Sequence, residues 1–317
     1  MPLPDSLAKV TTICIGRYLV DIPEAFTPTA ATYAQFYYGL DKNFRTVDLS
    51  IPASSGDQAA LDALVDKRVA ELTSTFHFAS ATKNMLAADR RLPDGSRLLR
   101  AYEDSRSTAT SKSELYSRQG TATALFARTV YSHESSAEVD ASLIRIAGAS
   151  SHAKSASSAG RGACLGPIVV DAAQDAEILH PSFQSAQYPD VVISIDMNSV
   201  VAKSDGGLFA RVAAKSDLLS KFVAHSDTLR KDKIAIAGRA AEEILEAGKD
   251  HDKVVRSFTA ETVLSAPSTF AQPLIAIDMT MGGQVKDEYR DASLTEAQSL
   301  EVWDAIIKSV RIRPGAL

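Results

Sequence analysis

The sequence CIGRYLVD at residues 14–21 is matched by CLGPIVVD at residues 164–171. Both stretches have the order cysteine, aliphatic residue, glycine, two variable positions, aliphatic residue, valine and aspartate. Each is typical of a short apolar strand, and the elements predicted after each one come in a similar order. The two stretches therefore predict two domains of similar build in one chain.

Hydrophobic periodicity predicts the elements that follow each stretch. Alternating residues at 45–51 and 190–197 predict two half-buried strands. Each strand is followed by a predicted amphipathic helix, hairpin strands, a further strand and a closing helix. The first helix of the second half is predicted to include Phe222, with Asp205 at or near its N-cap.

The last helix has the clearest pattern in the sequence. Its apolar stripe consists of Leu300, Trp303, Ile306, Ile307 and Val310. Ser293 and Glu296 match a capping box, so the helix is predicted to begin next to Ser293.

Sequential antiparallel strands with two intervening helices predict an α+β fold. Each domain is expected to be a mainly antiparallel sheet with helices on one face. We predict an N-terminal domain at 1–150, a linker at 151–162 and a C-terminal domain at 163–317, because the linker is rich in Ser, Ala and Gly and has no apolar periodicity. Internal duplication would explain the similarity, and two ordinary α+β domains that converged are the alternative.

The composition is that of an ordinary globular protein, with 45% hydrophobic and 23% charged residues. A length of 317 residues agrees with two domains of about 150 residues each. The net charge is −5 and no Lys/Arg stripe is present, which argues against a nucleic-acid partner. No apolar run approaches the ~18 residues of a membrane helix.

Residues 1–5 lack the basic region and the apolar core of a signal peptide. The protein is therefore expected in the periplasm if an export signal has been removed from its native amino terminus, and in the cytoplasm otherwise.

Candidate catalytic motifs are weak. Residues 162–166, GACLG, match a nucleophile elbow with Cys164 in place of serine, but the elbow requires a strand before it and a helix after it. Here the Ser/Ala/Gly segment comes before it and a predicted strand after it. None of the six histidines lies at metal-ligand spacing from another His or Cys. We therefore predict no catalytic residue, no metal and no cofactor, which favours a binding protein.

Several conspicuous side chains have ordinary structural interpretations. Glu242 and Glu243 are expected on a solvated face or at a hairpin edge, and Phe76 and Phe78 are expected to be strand and core residues rather than a platform for a ligand. The two cysteines either form a disulfide in an oxidising compartment or fill equivalent holes in two cores as buried apolar residues, and the second interpretation is favoured.

Five phrases of the sequence carry a resemblance to a known family. They are CIGRYLVDIP at 14–23, DGGL at 205–208, AGRAAEE at 237–243, KDEYRDASL at 286–294 and WDAIIKSVRIRPG at 303–315. The chain thereby resembles type VI secretion lipase immunity proteins, in the two-domain subfamily paired with the fourth class of type VI lipase effectors. The resemblance covers nearly the whole chain and is strongest in its carboxy-terminal part.

The resemblance implies a non-enzymatic antitoxin of the periplasm. Such a protein binds its cognate phospholipase effector, one to one in our expectation, and blocks access of the substrate. The family is expected to form a claw of two domains that clamps the lid region of the lipase in the cleft between them.

Candidate partner contacts lie in predicted turns that combine charges with an aromatic anchor. They are Asp250, Asp252, Asp287, Glu288, Tyr289 and Arg290. The alternative is that residues 287–291 simply form the loop before the last helix. Two other functions stay open, namely an envelope scaffold that binds some other protein and a hydrolase built around Cys164.

Overall fold

A computed structural model describes residues 3–41, 44–202, 206–219 and 226–317 of the chain. Asp205 and Phe222, which the sequence analysis assigned to the start and the body of a helix, lie outside these ranges. Within these ranges, no helix combines the length and the apolar character needed to span a bilayer.

The described residues form five α-helices and a larger number of mostly short strands. The helices are α1 (Asp5–Ala8), α2 (Gln58–Ser74), α3 (Ser136–Gly148), α4 (Leu208–Leu219) and α5 (Glu296–Ser309). The strands are β1 (Val10–Gly16), β2 (Tyr18–Pro23), β3 (Thr27–Pro28), β4 (Tyr33–Tyr38), β5 (Arg45–Ala53), β6 (Leu86–Arg91), β7 (Arg97–Asp104), β8 (Ser107–Gln119), β9 (Ala122–Val130), β10 (Ser150–His152), β11 (Ala163–Leu165), β12 (Ile168–Val170), β13 (Ala176–His180), β14 (Ser182–Gln184), β15 (Val192–Asn198), β16 (Ser226–Ile236), β17 (Arg239–Asp250), β18 (Lys253–Thr262), β19 (Leu274–Met281), β20 (Gly283–Val285), β21 (Glu288–Arg290) and β22 (Arg311–Ile312).

The chain packs as two compact units. The terminal unit consists of Met1–Thr32 and Ala176–Leu317, and the central unit consists of Tyr33–Asp175. This division differs from the predicted domains at 1–150 and 163–317, because the start of the chain packs with its end. The predicted linker contributes to strand β10 and to a 3-10 turn at Ala156–Ser158.

The body of each unit is an antiparallel sheet, and the two sheets have the same strand order. In the central unit the order is β4-β5-β9-β8-β7-β6, and in the terminal unit it is β13-β15-β19-β18-β17-β16. Along the chain, the six strands of each order come as two strands before a helix and four strands between that helix and a closing helix; the terminal unit also has the short strands β14, β20 and β21. The predicted α+β class with mainly antiparallel sheets is confirmed, and internal duplication stays a prediction.

The repeated cysteine stretch forms a tight hairpin in both units and is not the single strand that was expected. The two hairpins, β1–β2 and β11–β12, have the same register, with Cys14 opposite Leu19 and Cys164 opposite Val169. The glycine that begins each turn has a φ of +57° in the first hairpin and +55° in the second. Because side chains disfavour this left-handed region, the turn explains the glycine in both copies.

The unit to which each hairpin belongs is not apparent from the chain order. The hairpin β1–β2 opens the first repeat, but it lies in the terminal unit, where β22 pairs with β2. The hairpin β11–β12 opens the second repeat, but it lies in the central unit, where β10 pairs with β12. The hairpin that comes first in each half of the sequence therefore belongs to the unit whose main sheet is formed by the other half.

Helices cover both faces of the central sheet. Arg100 and Ser113 lie opposite each other on one face, and both bind Asp140 of α3, at 2.6 and 2.9 Å. Glu114 follows Ser113 in the strand and so points to the other face, where Arg68 of α2 donates to it at 2.8 Å.

The terminal sheet is arranged in the same way. Glu243 accepts from Trp303 of α5, and its neighbour Glu242, on the opposite face, accepts from the backbone N–H of Phe209 in α4. The prediction of helices on one face is therefore wrong. Consecutive buried residues at the start of β7 show the reason, because adjacent side chains point to opposite faces and both faces must then be covered.

Three interpretations of single residues are also wrong. Glu243 is only 2% exposed, whereas Phe76 and Phe78 are 56% and 61% exposed. Both cysteines are buried as expected, but each is disulfide-bonded and neither is a free thiol. Since the attacking species in a cysteine hydrolase is a thiolate, Cys164 in this form is no nucleophile.

Helix α5 begins two residues later than its predicted capping box. Thr295 accepts from the backbone N–H of Gln298 at 3.3 Å, and the Gln298 side chain accepts from the Thr295 backbone N–H at 3.0 Å. Ser293 instead donates its backbone N–H to Asp190 at 2.9 Å. A long-range contact therefore decides between two overlapping local motifs.

Candidate functional site

The six predicted contact residues lie on two hairpin turns of the terminal unit that contact each other. The first turn, residues 249–253, joins β17 to β18, and the second, residues 283–291, contains β20 and β21. We call these two segments the paired turns. Asp250 and Asp252 lie in the first turn, and Asp287, Glu288, Tyr289 and Arg290 lie in the second.

The first turn has only two residues between paired strand positions, because Asp250 lies opposite Lys253. His251 and Asp252 have φ angles of +48° and +62°, as a type I′ turn requires. Histidine and aspartate are among the side chains that tolerate this region best. The turn geometry leaves the side chains of Asp250 and Asp252 exposed at the tip.

The second turn is a short antiparallel hairpin and not a plain loop before α5. Val285 lies opposite Glu288, and Lys286 takes a φ of +56° between them. Arg290 donates to Glu288 at 2.8 Å, while their side chains stay 51% and 70% exposed. Because both side chains are exposed, each charge is accessible to an opposite charge on another protein.

An aromatic contact joins the two turns. The ring centroids of His251 and Tyr289 are 3.9 Å apart with an interplanar angle of 32°. The Nδ1 atom of His251 lies 2.9 Å from Asp250 Oδ1. Tyr289, which was predicted to be an anchor for a partner, is therefore half-buried against His251 and holds the turns together.

Asp291 fixes the base of the paired turns. Its carboxylate accepts from the backbone N–H of Val254 at 2.8 Å and from Lys253 Nζ at 3.2 Å. These hydrogen bonds, the backbone one foremost, lower the pKa of Asp291 below its ordinary value. A further hydrogen bond of 2.8 Å runs from the backbone N–H of Ala292 to the Val254 carbonyl.

Asp190 holds the two ends of the second turn together. It is 7% exposed, and its Oδ2 atom accepts from the backbone N–H groups of Gly282 at 3.2 Å and Ser293 at 2.9 Å. Gly282 has a φ of +75°, and a Cβ atom there would lie 2.4 Å from the carbonyl oxygen of Val254. The backbone approach at this point therefore requires glycine.

An open groove of about 610 Å³ borders the second turn. Its lining includes the apolar side chains Pro28, Pro189, Val192 and Val285 and the polar side chains Gln184, Gln284 and Lys286. A concave surface with apolar walls and a few polar groups suits a segment of a protein partner.

The paired turns carry charges of both signs. The acidic members are Asp250, Asp252, Asp287, Glu288 and Asp291, and the basic members are Lys249, Lys253, Lys286 and Arg290. Over the part of the chain that the structure describes, no group of three or more His, Cys, Asp or Glu side chains is placed to hold a metal ion. The arrangement supports recognition through polar contacts.

The sequence pattern predicts the tips of the paired turns but not the residues that support them. No local pattern marked His251, Asp190 or Gly282. Their partners lie far away along the chain, so a sequence signal would have required the pairing of distant residues.

Solved structures share this fold over nearly the full length of the chain. The apo immunity protein TplEi of the type VI secretion system (T6SS) from Pseudomonas aeruginosa has a TM-score of 0.66 and 19% identity, with 97% of this chain and 98% of that chain covered. A Tle4-Tli4 complex gives 0.65 and 18%, with 99% and 100% covered. TplEi complexed with an "L" peptide gives 0.63 and 18%, with 96% and 98% covered.

The fold is therefore that of T6SS immunity proteins, and its candidate site is an exposed surface of turns. Residues 158–315 match the family described as the Tle cognate immunity protein 4 C-terminal domain. This half of the chain belongs to that family, and the resemblance to type VI lipase immunity proteins is confirmed. No curated protein matches the sequence at a significant level.

Proposed function

We propose that this protein is an immunity protein that binds a T6SS phospholipase effector, one to one, and inhibits it. The observation that carries the proposal is the position of the paired turns. They are exposed and rigidly supported, they lie within the part of the chain that matches the family, and they contain all six residues selected by their polar pattern.

The proposed mechanism is steric and conformational. The paired turns and the adjoining groove contact the effector, and the proposed target is the mobile lid of the lipase. A lid must move to admit lipid, so a partner that binds one lid conformation more tightly keeps the enzyme in that state. Inhibition then needs no chemistry from this chain, and we propose that it is not an enzyme.

The proposed location is the periplasm, where an injected phospholipase meets its target membrane. The disulfide-bonded state of both cysteines supports an oxidising compartment. Fractionation of cells that express the full native reading frame checks this proposal.

The first experiment titrates the protein against the lipase encoded beside it by calorimetry and follows lipase activity in parallel. We expect one-to-one binding and a loss of activity at the same molar ratio. Folded protein that neither binds nor inhibits would overturn the proposal and favour the envelope scaffold.

A second experiment assigns the surface. The exchange Glu288→Arg with Arg290→Glu keeps an ion pair in the turn but reverses its direction, so the fold is preserved and a bound charge is repelled. We expect affinity to fall by at least about tenfold.

The matched control is the exchange Arg161→Asp with Asp171→Arg. This exposed pair in the central unit has its charged atoms 3.7 Å apart and lies outside the paired turns. Unchanged affinity in the control is expected. Unchanged affinity in the Glu288 and Arg290 exchange would remove the paired turns from the interface.

A further inference from the structure

The loop between α2 and β6 exposes two phenylalanine rings side by side. Phe76 is 56% exposed and Phe78 is 61% exposed, and their ring centroids lie 5.0 Å apart in an edge-to-face arrangement. We call residues 75–85, which carry them, the aromatic loop. It lies in the central unit, outside the paired turns.

The residue between the two rings anchors the loop. His77 is fully buried, and its Nδ1 atom accepts the backbone N–H groups of Ala79 at 3.0 Å and Ser80 at 2.8 Å. Since Nδ1 is an acceptor for both, Nε2 carries the proton and donates to the carbonyl of Ser107 at 3.2 Å. The ring of His77 also packs against Tyr102, with centroids 4.6 Å apart.

The backbone on either side of His77 is fixed as well. Phe78 donates its N–H to the Ser105 carbonyl at 2.7 Å, and His77 donates its own to the Lys83 carbonyl at 3.1 Å. Lys83 donates its Nζ to the Phe78 carbonyl at 2.9 Å. The two rings are therefore held outward by a rigid loop, so little conformational entropy is lost when they are buried by a partner.

We propose that Phe76 and Phe78 form a second contact with the effector, in which both rings insert into an apolar surface of the lipase. This inference rests on the proposed function. A phospholipase must keep apolar surface for the acyl chains of its substrate, and aromatic rings presented on a rigid loop complement such a surface. By occupying that surface, the two rings exclude the acyl chain of the substrate. This effect adds to the restraint of the lipase lid by the paired turns.

The charges around the loop favour a protein surface over a lipid bilayer. Peripheral insertion into membranes uses exposed aromatics flanked by an excess of Lys and Arg. Here Lys83 and Arg106 are balanced by Glu103 and Asp104, and Lys83 is engaged with the loop backbone.

The test replaces both rings, Phe76→Ser with Phe78→Ser, and measures effector binding and inhibition. The matched control is Phe44→Ser with Tyr131→Ser, which removes two other exposed rings of the central unit, 61% and 52% exposed. Two hot-spot side chains should weaken binding by about 30-fold or more, and the control by less than about threefold. Both variants are expected to keep the thermal midpoint of the parent.

A decanoyl phospholipid analogue is the competition probe. It is expected to weaken binding of the parent protein and to have little further effect on the Phe76 and Phe78 variant, because that variant no longer occupies the acyl surface. Equal competition against both proteins would overturn the acyl-surface assignment.

Three further results would overturn the inference. Equal affinities of parent and variant would reject the aromatic contact while leaving the immunity function intact. Binding of the parent to anionic lipid vesicles that is lost in the variant would assign the loop to a membrane. A parent that does not bind the lipase at all would reject both this inference and the proposed function.

Discussion

Single glycines decide where the backbone of the terminal unit can turn. Gly238 and Gly282 both have a φ of +75°, but their surroundings differ. At Gly238 a Cβ atom would meet no atom within 4 Å, whereas at Gly282 it would meet the Val254 carbonyl oxygen at 2.4 Å and the Ala292 nitrogen at 2.8 Å. Glycine is required at position 238 only by the backbone conformation. At position 282 it is required by the conformation and also by the close approach of the backbone.

Gly282→Ala should therefore destabilise the protein more than Gly238→Ala does. Both substitutions place a side chain in the left-handed region at a cost of about 1–2 kcal/mol. Only Gly282→Ala adds a clash with backbone atoms. Urea unfolding followed by circular dichroism measures the difference. We also expect only Gly282→Ala to weaken effector binding, because the clash displaces the second of the paired turns. Equal losses of stability would show that the clash is relieved at no cost.

At the scale of elements, helix α5 is attached to its sheet by a polar contact within an apolar interface. The indole N–H of Trp303 donates to Glu243 at 2.9 Å, and Trp303 packs edge to face on Phe258 with centroids 5.7 Å apart. Arg230 donates to Glu243 at 3.2 Å and to Asp304 of α5 at 2.6 Å. Glu243 thus links its own strand, β17, to the neighbouring strand β16 and to α5.

Glu243→Ala should lower the free energy of unfolding by about 2–3 kcal/mol, because it leaves the buried Trp303 N–H without an acceptor. The matched control is Glu242→Ala, the adjacent residue on the opposite face, which loses one hydrogen bond from the Phe209 backbone and should cost about 1 kcal/mol. Chemical denaturation of the two variants gives both values. If the two glutamates lay on one solvated face, the two losses would be equal and small.

At the scale of the whole molecule, the exchange of opening hairpins ties the ends of the chain together. Arg17 in the turn of the first hairpin forms a buried ion pair with Glu177, 3.3 Å apart, and donates to the carbonyl of Ala316 at 2.6 Å. Tyr18 donates its hydroxyl to the Ala271 carbonyl at 2.8 Å. The terminal unit therefore lacks part of its core when the first hairpin is absent.

A fragment of residues 163–317, the predicted C-terminal domain, should not fold alone. It lacks β1 and β2, and with them the core residues Ile15, Val20 and Ile22, which are at most 1% exposed. The apolar surface that these residues cover is then left in contact with water, which is strongly destabilising. Addition of a peptide of residues 1–32 should restore a cooperative thermal transition. Circular dichroism melts of the fragment with and without the peptide check this. A cooperative transition of 163–317 alone would contradict the assignment of the hairpin to the terminal unit.

The sequence by itself determined the fold class and the family. Period-two and helical apolar patterns, turn residues such as those at 250–253 and the recurring cysteine stretch are local signals, because each reflects the conformation of neighbouring residues. The same local patterns correctly predicted an α+β class and brought six residues of the candidate site to attention.

Only the tertiary structure decided what those elements touch. Alternation in a strand shows that two faces exist but not what covers each one, so the helices on both faces and the burial of Glu243 were missed. The exposure of Phe76 and Phe78 follows from the burial of His77 between them, and the joining of the paired turns follows from the contact between the rings of His251 and Tyr289. The exchange of hairpins likewise pairs residues at opposite ends of the chain. Contacts between residues that are distant along the chain leave no periodic signal in the sequence, so packing alone reveals them.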